Sequence, residues 1–125
     1  MPREPVRTDG APAPSGAYSQ AIRAGGLAFL AGQGPYDPDG NLVGGSITEQ
    51  VRQTLANLEA VARAAGGSLA SAVRVGVYLS DLAHFDEMNA EYVRHFADPL
   101  PARTTIQSDL GGFDVEIDAV VWVGA

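Results

Sequence analysis

The sequence predicts an α+β fold in which two helices pack on one face of a mixed sheet, in the order β-β-α-β-α-β-β. Two stretches repeat apolar residues at three- and four-residue steps, the period of one helix face. Several others alternate apolar and polar residues, the period of a strand with one buried side. A length of 125 residues with 46% hydrophobic content suits one domain with a real core. We assign an irregular N-terminal arm to residues 1–16 and the domain to residues 17–125.

Residues 2–16 are rich in Pro, Ala and Gly and are not expected to hold a regular ladder. Tyr18–Arg23 and Leu27–Gly32 read as two short strands, and Ala24-Gly25-Gly26 supplies the positive φ of a tight hairpin turn between them. Tyr36 to Asn41 is dense in turn formers and reads as a loop. Ile47, Val51, Leu55, Leu58, Val61 and Ala65 then mark one face of a helix over 47–65. Ser46 or Thr48 caps its start, with Glu49 or Gln50 in the first turn, and Gly66-Gly67 stops it.

Val73, Val75, Val77 and Leu79 alternate with Arg74, Gly76 and Tyr78, so a strand with one buried face follows. Asp81 caps a second helix reaching roughly Phe96, striped by Phe85, Met88, Tyr92 and Phe96 and ended by Pro99 and Pro101. Thr104–Gln107 is a short strand. Val115–Val123 is a longer one, with Val115, Ile117, Ala119, Val121 and Val123 on one face and Glu116 and Asp118 on the other. With both helices on one side of the sheet, the other side needs cover, which calls for an oligomer.

The charge balance narrows the partners. Against 15 acidic residues stand 8 basic ones, all Arg, for a net charge of -7, so no electrostatic footprint for nucleic acid is present. There is no cysteine, which removes disulfides, thiolate metal sites and a cysteine nucleophile. His84 and His95 are the only histidines, and no carboxylate set completes a triad or a metal cluster around them. No metal is expected. The first sixteen residues carry charges and four prolines without an apolar leader, and no run approaches ~18 apolar residues. A soluble cytoplasmic protein with no membrane partner is the expectation.

Candidate site residues stand out by chemistry. Arg103 follows a proline bend and opens a strand, where its fork of donors suits bidentate recognition of a carboxylate; a surface or ion-paired arginine is the alternative. Glu116 either faces water or, if partly buried, serves as general base or acid. Asn89 is an amide on an apolar helix stripe and needs partners. Tyr18 and Tyr92 offer hydroxyls at a pocket rim or belong to the core. The glycines of Ala31-Gly32-Gln33-Gly34 let backbone N–H groups approach an anion, but the spacing is no phosphate loop and no Lys follows.

The residues also form an ordered set. It runs Gly16-Ala17-Tyr18-Ser19-Gln20-Ala21, Ala31-Gly32-Gln33, the helix from Glu49-Gln50 to Asn57-Leu58, Ala65-Gly66 and Val77-Tyr78-Leu79. It continues through Met88-Asn89 with Tyr92 and Phe96, Pro101-Ala102-Arg103-Thr104 and Val115-Glu116-Ile117. In this order the chain resembles the reactive-intermediate deaminase family, also called YjgF or Rid, from about Ala13 to the last strand.

The resemblance implies a chorismate-mutase-like fold assembled as a homotrimer, sheets inside and helices outside, with sites in the clefts between subunits. It implies cofactor-independent hydrolysis of enamines and imines such as 2-aminoacrylate and 2-iminopropanoate to 2-oxo acids and ammonia. Arg103 would grip the substrate carboxylate and Glu116, beside it, would hold the attacking water. Tyr18, Ala31, Gly32, Asn89, Thr104 and Thr105 would line the substrate. Two positions depart from the pattern: Ala31 replaces a common serine, leaving backbone donors but no hydroxyl, and Thr105 stands where cysteine is frequent. Two further readings stay open, a pathway-specific deaminase of a larger enamino acid of aminomuconate type and a non-catalytic trimer that binds small carboxylates. The ribonuclease activity sometimes ascribed to the family fits poorly with charge -7 and the lack of a His pair or basic groove.

Overall fold

The computed structural model describes residues 2–124. Eight elements are used below: β1 (Glu4–Val6), β2 (Ala21–Ala24), β3 (Leu27–Gln33), α1 (Ile47–Ala64), β4 (Ala72–Leu79), α2 (Phe85–Tyr92), β5 (Ala102–Gln107) and β6 (Val115–Trp122). The strands form one sheet in the order β1-β2-β3-β6-β4-β5. Every neighbouring pair is antiparallel except β4 and β5, which are parallel because α2 carries the chain from one to the next. The fold is therefore the expected α+β arrangement, two helices on a mixed sheet.

Gly25, at φ +62°, makes the β2–β3 hairpin turn that the sequence pattern called for. The start of α1 resolves to Ser46. Its side chain accepts from the Glu49 N–H, and Glu49 reaches back to the Ser46 N–H in a capping box. Ile47, Val51, Leu55, Leu58 and Val61 are buried along the inner face of α1, each contributing about 1.5–3 kcal/mol from apolar burial. They meet Val75, Val77 and Leu79 of β4, Val115, Ile117, Ala119 and Val121 of β6, and Met88 and Tyr92 of α2 in one core.

Three expectations are corrected. Residues 4–6, assigned to an irregular arm, form β1 against β2, with Pro5 opposite Ile22. Because β1 is an edge strand, the N–H that Pro5 lacks can be spared on the outer side. The alternation puts Val73 on the buried face of its strand, but a register shift between Ala72 and Arg74 turns it outward, 46% exposed. The second helix is shorter than its apolar stripe. Asp81 accepts from Ala83 N–H and caps a 3₁₀ turn (Leu82–His84) before α2, and the chain tightens to another 3₁₀ turn over Val93–His95.

The helices are clasped by acids of α2. Glu91, 5% exposed, lies 2.7 Å from His95 Nε2 and 3.3 Å from Arg52 Nη2, and Glu87 accepts from the backbone N–H and hydroxyl of Thr48. Burial of Glu91 favours its neutral form, but the hydrogen bonds from His95 and Arg52 outweigh it and hold the carboxyl below its ordinary range. The other face of the sheet has no such cover in the single chain. Phe29, Ile106 and Trp122 lie there, each about half exposed, around Glu116 and Asp118.

Candidate functional site

Arg103 is the second residue of β5 and pairs with Val75, so it projects from the helix-covered face at the sheet edge. Its Nη1 donates to Asn89 Oδ1 at 2.8 Å, and its guanidinium carbon stands 4.6 Å from the Tyr92 ring centroid and 5.5 Å from that of Phe85. The amide of Asn89 thus finds its partner in Arg103, and two aromatic faces steady the cation. Among the described residues Arg103 has no carboxylate within ion-pair distance. A concavity of about 320 Å³ opens there, lined by Arg103, Asn89, Tyr92, Val93, Leu100 and Pro101.

Two buried hydroxyls near this group, Tyr92 Oη and Thr105 Oγ1, have no hydrogen-bond partner among the described residues. Burial pushes the Tyr92 hydroxyl up, against the opposing pull of the Arg103 cation. Thr105 shares the Arg103 face, two residues along β5. Thr104 points the other way, opposite Gly76, and is exposed.

Glu116 is the second residue of β6 and pairs with Tyr78, which sets it on the open face. Its carboxylate lies over Gly32, where a Cβ would overlap it, and the ladder beside it is broken by a register shift between Leu30 and Gln33. Half-buried there, Glu116 has its pKa raised, first by desolvation and then by the charge of Asp118 two residues on. Asp118 is itself held. It accepts from Tyr78 Oη at 2.9 Å and from Gly76 N–H at 3.1 Å. A second concavity, about 380 Å³, includes Glu116, Gly32, Gly34, Tyr18, Tyr36 and Phe113 in its wall. Tyr18 Oη accepts from Ser15 N–H at 3.1 Å, which ties that ring to the preceding turn.

The structure brings the candidates together in two groups instead of one. Arg103 and Asn89 share one concavity, Glu116, Tyr18 and Gly32 the other, and within one chain the sheet separates them. Inside a single subunit Glu116 and Arg103 therefore do not meet, and the expected cleft between subunits is where they would have to. The reason is register: Arg103 falls in line with Val75 and Glu116 with Tyr78, residues of opposite parity on β4. The free donor expected at Ala31 is also engaged, since its N–H donates to the Gln20 carbonyl at 2.9 Å.

Sequence reasoning missed the Tyr78–Asp118 hydrogen bond and an edge-to-face pair of Tyr36 and Phe113. Tyr78 sits on the polar side of the alternation in β4, and Asp118 on that of β6, which was the available signal for the first. Nothing local links Tyr36 to Phe113. No group of three His, Asp or Glu side chains placed for a metal occurs among the described residues, and no helix there is long and apolar enough to cross a membrane.

One chain thus carries a mixed sheet with two helices on one side, on that side a guanidinium with no carboxylate partner among the described residues, and a desolvated carboxylate on the other. Residues 8–123 match the Endoribonuclease L-PSP family, and the chain belongs to that family, which includes the Rid proteins its motifs resemble. A RutC family protein of Pyrococcus horikoshii is 43% identical over 123 residues, covering 96% of this chain and 98% of the relative. The crystal structure of RidA from an Antarctic Psychrobacter superposes with a TM-score of 0.91 at 36% identity, covering 96% of this chain and 99% of that one. E. coli TdcF, crystallised with bound serine, superposes with a TM-score of 0.89 at 27% identity over 97% of this chain and 99% of that one.

Proposed function

We propose that this protein hydrolyses imines and enamines derived from amino acids, releasing a 2-oxo acid and ammonia, at sites completed between subunits of a homotrimer. The observation that carries the reading is the Arg103 guanidinium, oriented by Asn89, Tyr92 and Phe85 yet without a carboxylate partner among the described residues. An arginine so braced and so unpaired suits a bidentate ligand carboxylate. The uncovered apolar side chains of the open face favour assembly, which would bring the Arg103 concavity of one subunit to the Glu116 concavity of the next. The serine bound to TdcF is an amino acid of the matching kind. A net charge of -7 favours a small carboxylate met by one local cation over a polyphosphate backbone.

The chemistry asks little of the protein. Water adds to the carbon of the protonated imine, R–C(=NH₂⁺)–COO⁻, and the resulting carbinolamine expels ammonia to leave R–CO–COO⁻. Arg103 anchors the carboxylate. Glu116 orients the water and takes its proton, and a carboxylate with raised proton affinity is the better base for that task. It can return the proton to the departing nitrogen. Tyr18, Gly32 and Asn89 bound the cleft, Thr105 backs the Arg103 side with a buried hydroxyl, and Thr104 stands on the open face toward the neighbouring subunit. The carbon is electrophilic once its nitrogen is protonated, so positioning and proton transfer suffice.

Incubating the folded, purified protein with freshly generated 2-iminopropanoate or 2-aminoacrylate tests this directly. Release of 2-oxo acid and ammonia faster than in buffer is expected; a rate equal to buffer overturns the reading.

A further inference from the structure

The concavity that holds Glu116 has a second end, which the reaction itself does not require. There Tyr36 and Phe113 meet edge to face, ring centroids 5.6 Å apart and planes at 80°. Gly34 lies beneath both rings: a Cβ at that position would stand 3.2 Å from Phe113 Cε2 and 3.4 Å from Tyr36 Cδ2. Its missing side chain lets the aromatic pair close down onto the backbone at the end of β3.

This wall is anchored in the core. Asn57, 1% exposed on α1, donates through Nδ2 to the carbonyl of Tyr36 at 2.7 Å and to that of Gly34 at 3.3 Å. Gln50, also buried on α1, accepts from the N–H of Asp114, next to Phe113, and donates to its carboxylate. Ser80 Oγ donates to the same carboxylate at 2.6 Å. Two buried amides on one face of α1, about two turns apart, therefore fix the backbone that carries the two rings, the preorganisation a binding surface needs.

Size points the same way. The concavity measures about 380 Å³, within the range of roughly 300–1,000 Å³ that encloses ligands far larger than a three-carbon acid. If water attacks from Glu116 and the carboxylate is held by Arg103 of a neighbouring subunit, the remaining substituent of the imine carbon, the former amino-acid side chain, takes the remaining space. We infer that Gly34, Tyr36 and Phe113 form a side-chain subsite selecting imines with large apolar or aromatic substituents, such as those derived from phenylalanine and leucine, over the imine of alanine. This rests on the hydrolytic reading above and adds its substrate class.

The imines of phenylalanine, leucine and alanine can each be produced in solution by a flavin amino-acid oxidase, which reduces oxygen as it oxidises the amine. Hydrolysis is then followed as 2-oxo acid release. A kcat/KM at least about tenfold higher for the phenylalanine and leucine imines than for the alanine imine is expected, the scale on which apolar pockets discriminate. In Phe113→Ala and Tyr36→Val, with unchanged Tm and oligomeric state, that ratio should fall about tenfold.

Equal kcat/KM for all three imines overturns the subsite and leaves the hydrolytic reading standing. A high ratio that neither variant lowers overturns its assignment to this wall. Turnover of none of them overturns the hydrolytic reading. In that event calorimetric binding of phenylpyruvate against pyruvate still tests the subsite, and equal affinities would reject it.

Discussion

The concavity at Arg103 and the concavity at Glu116 sit on opposite faces of one sheet and are made from different materials. Around Arg103 the walls are side chains, with an amide on one nitrogen and two aromatic faces against the guanidinium plane. Around Glu116 the decisive feature is the lack of side chains. Gly32 leaves room for the Glu116 carboxylate and Gly76 leaves room for that of Asp118, so both acids lie down on backbone. The cation is thereby stiffened, and the acid is desolvated. Separation by the sheet has a further effect: the two groups cannot neutralise each other within a subunit.

This contrast can be broken from either side. The largest effect is expected from Glu116→Gln, which keeps shape but removes the proton acceptor and should lower kcat for imine hydrolysis by about 10²–10⁴-fold. A kcat near wild type in the steady-state assay would move the base elsewhere. Arg103→Ala should weaken 2-oxo acid binding by roughly 1.5–3 kcal/mol, about 10- to 150-fold by calorimetry. Arg103→Lys should recover only part of it, because a point charge lacks the fork. Full recovery by lysine would show that charge alone mattered.

Gly32→Ala probes the backbone-built side. Its methyl must displace the Glu116 carboxylate, and a loss of roughly ten- to a hundredfold in kcat is expected with 2-oxo acid binding at Arg103 less affected. An unchanged kcat would mean that the carboxylate need not rest there.

The smallest effect is a shift in pH dependence. Burial and the Asp118 charge raise the Glu116 pKa, so Asp118→Asn should lower it and move the acidic limb of kcat/KM to lower pH. The linkage to stability has the same sign: a raised carboxyl favours the folded state below its unfolded pKa, and that contribution is lost as pH rises through the folded pKa. Glu91, under the helices, behaves oppositely. Its lowered pKa stabilises the fold above the unfolded value and is lost as pH falls through the folded one. Denaturant midpoints against pH for Asp118→Asn and Glu91→Gln should therefore depart from wild type in opposite directions. Parallel curves would contradict the assigned environments.

Much of the fold was legible because burial imposes a period. α1 and β6 bury one face each, and their apolar residues repeat accordingly, so their bounds were read to within a residue or two. β1 was not legible, because three residues carry no period and Pro5 argues against a ladder except at an edge. Val73 misled for a related reason. Alternation assumes an unbroken strand, and a bulge beside Ala72 shifts the phase. Among the candidate residues, Arg103, Glu116 and Asn89 were distinguishable by their chemistry and motif order, whereas the partners that tune them, Tyr78 and Asp118 or Tyr36 and Phe113, lie far apart along the chain.

The chain's own order of residues thus settled the longer helix and strands and most of the faces they bury, the family, and the identity of the charged candidates, since these follow from local period and residue type. Register was settled elsewhere. Whether Arg103 and Glu116 share a face depends on how β5 and β6 each line up against β4, and that alignment comes from the packing of both helices on the finished sheet. A shift of one residue in either strand would reverse the side on which its charge stands, and no local pattern specifies such a pairing between distant strands.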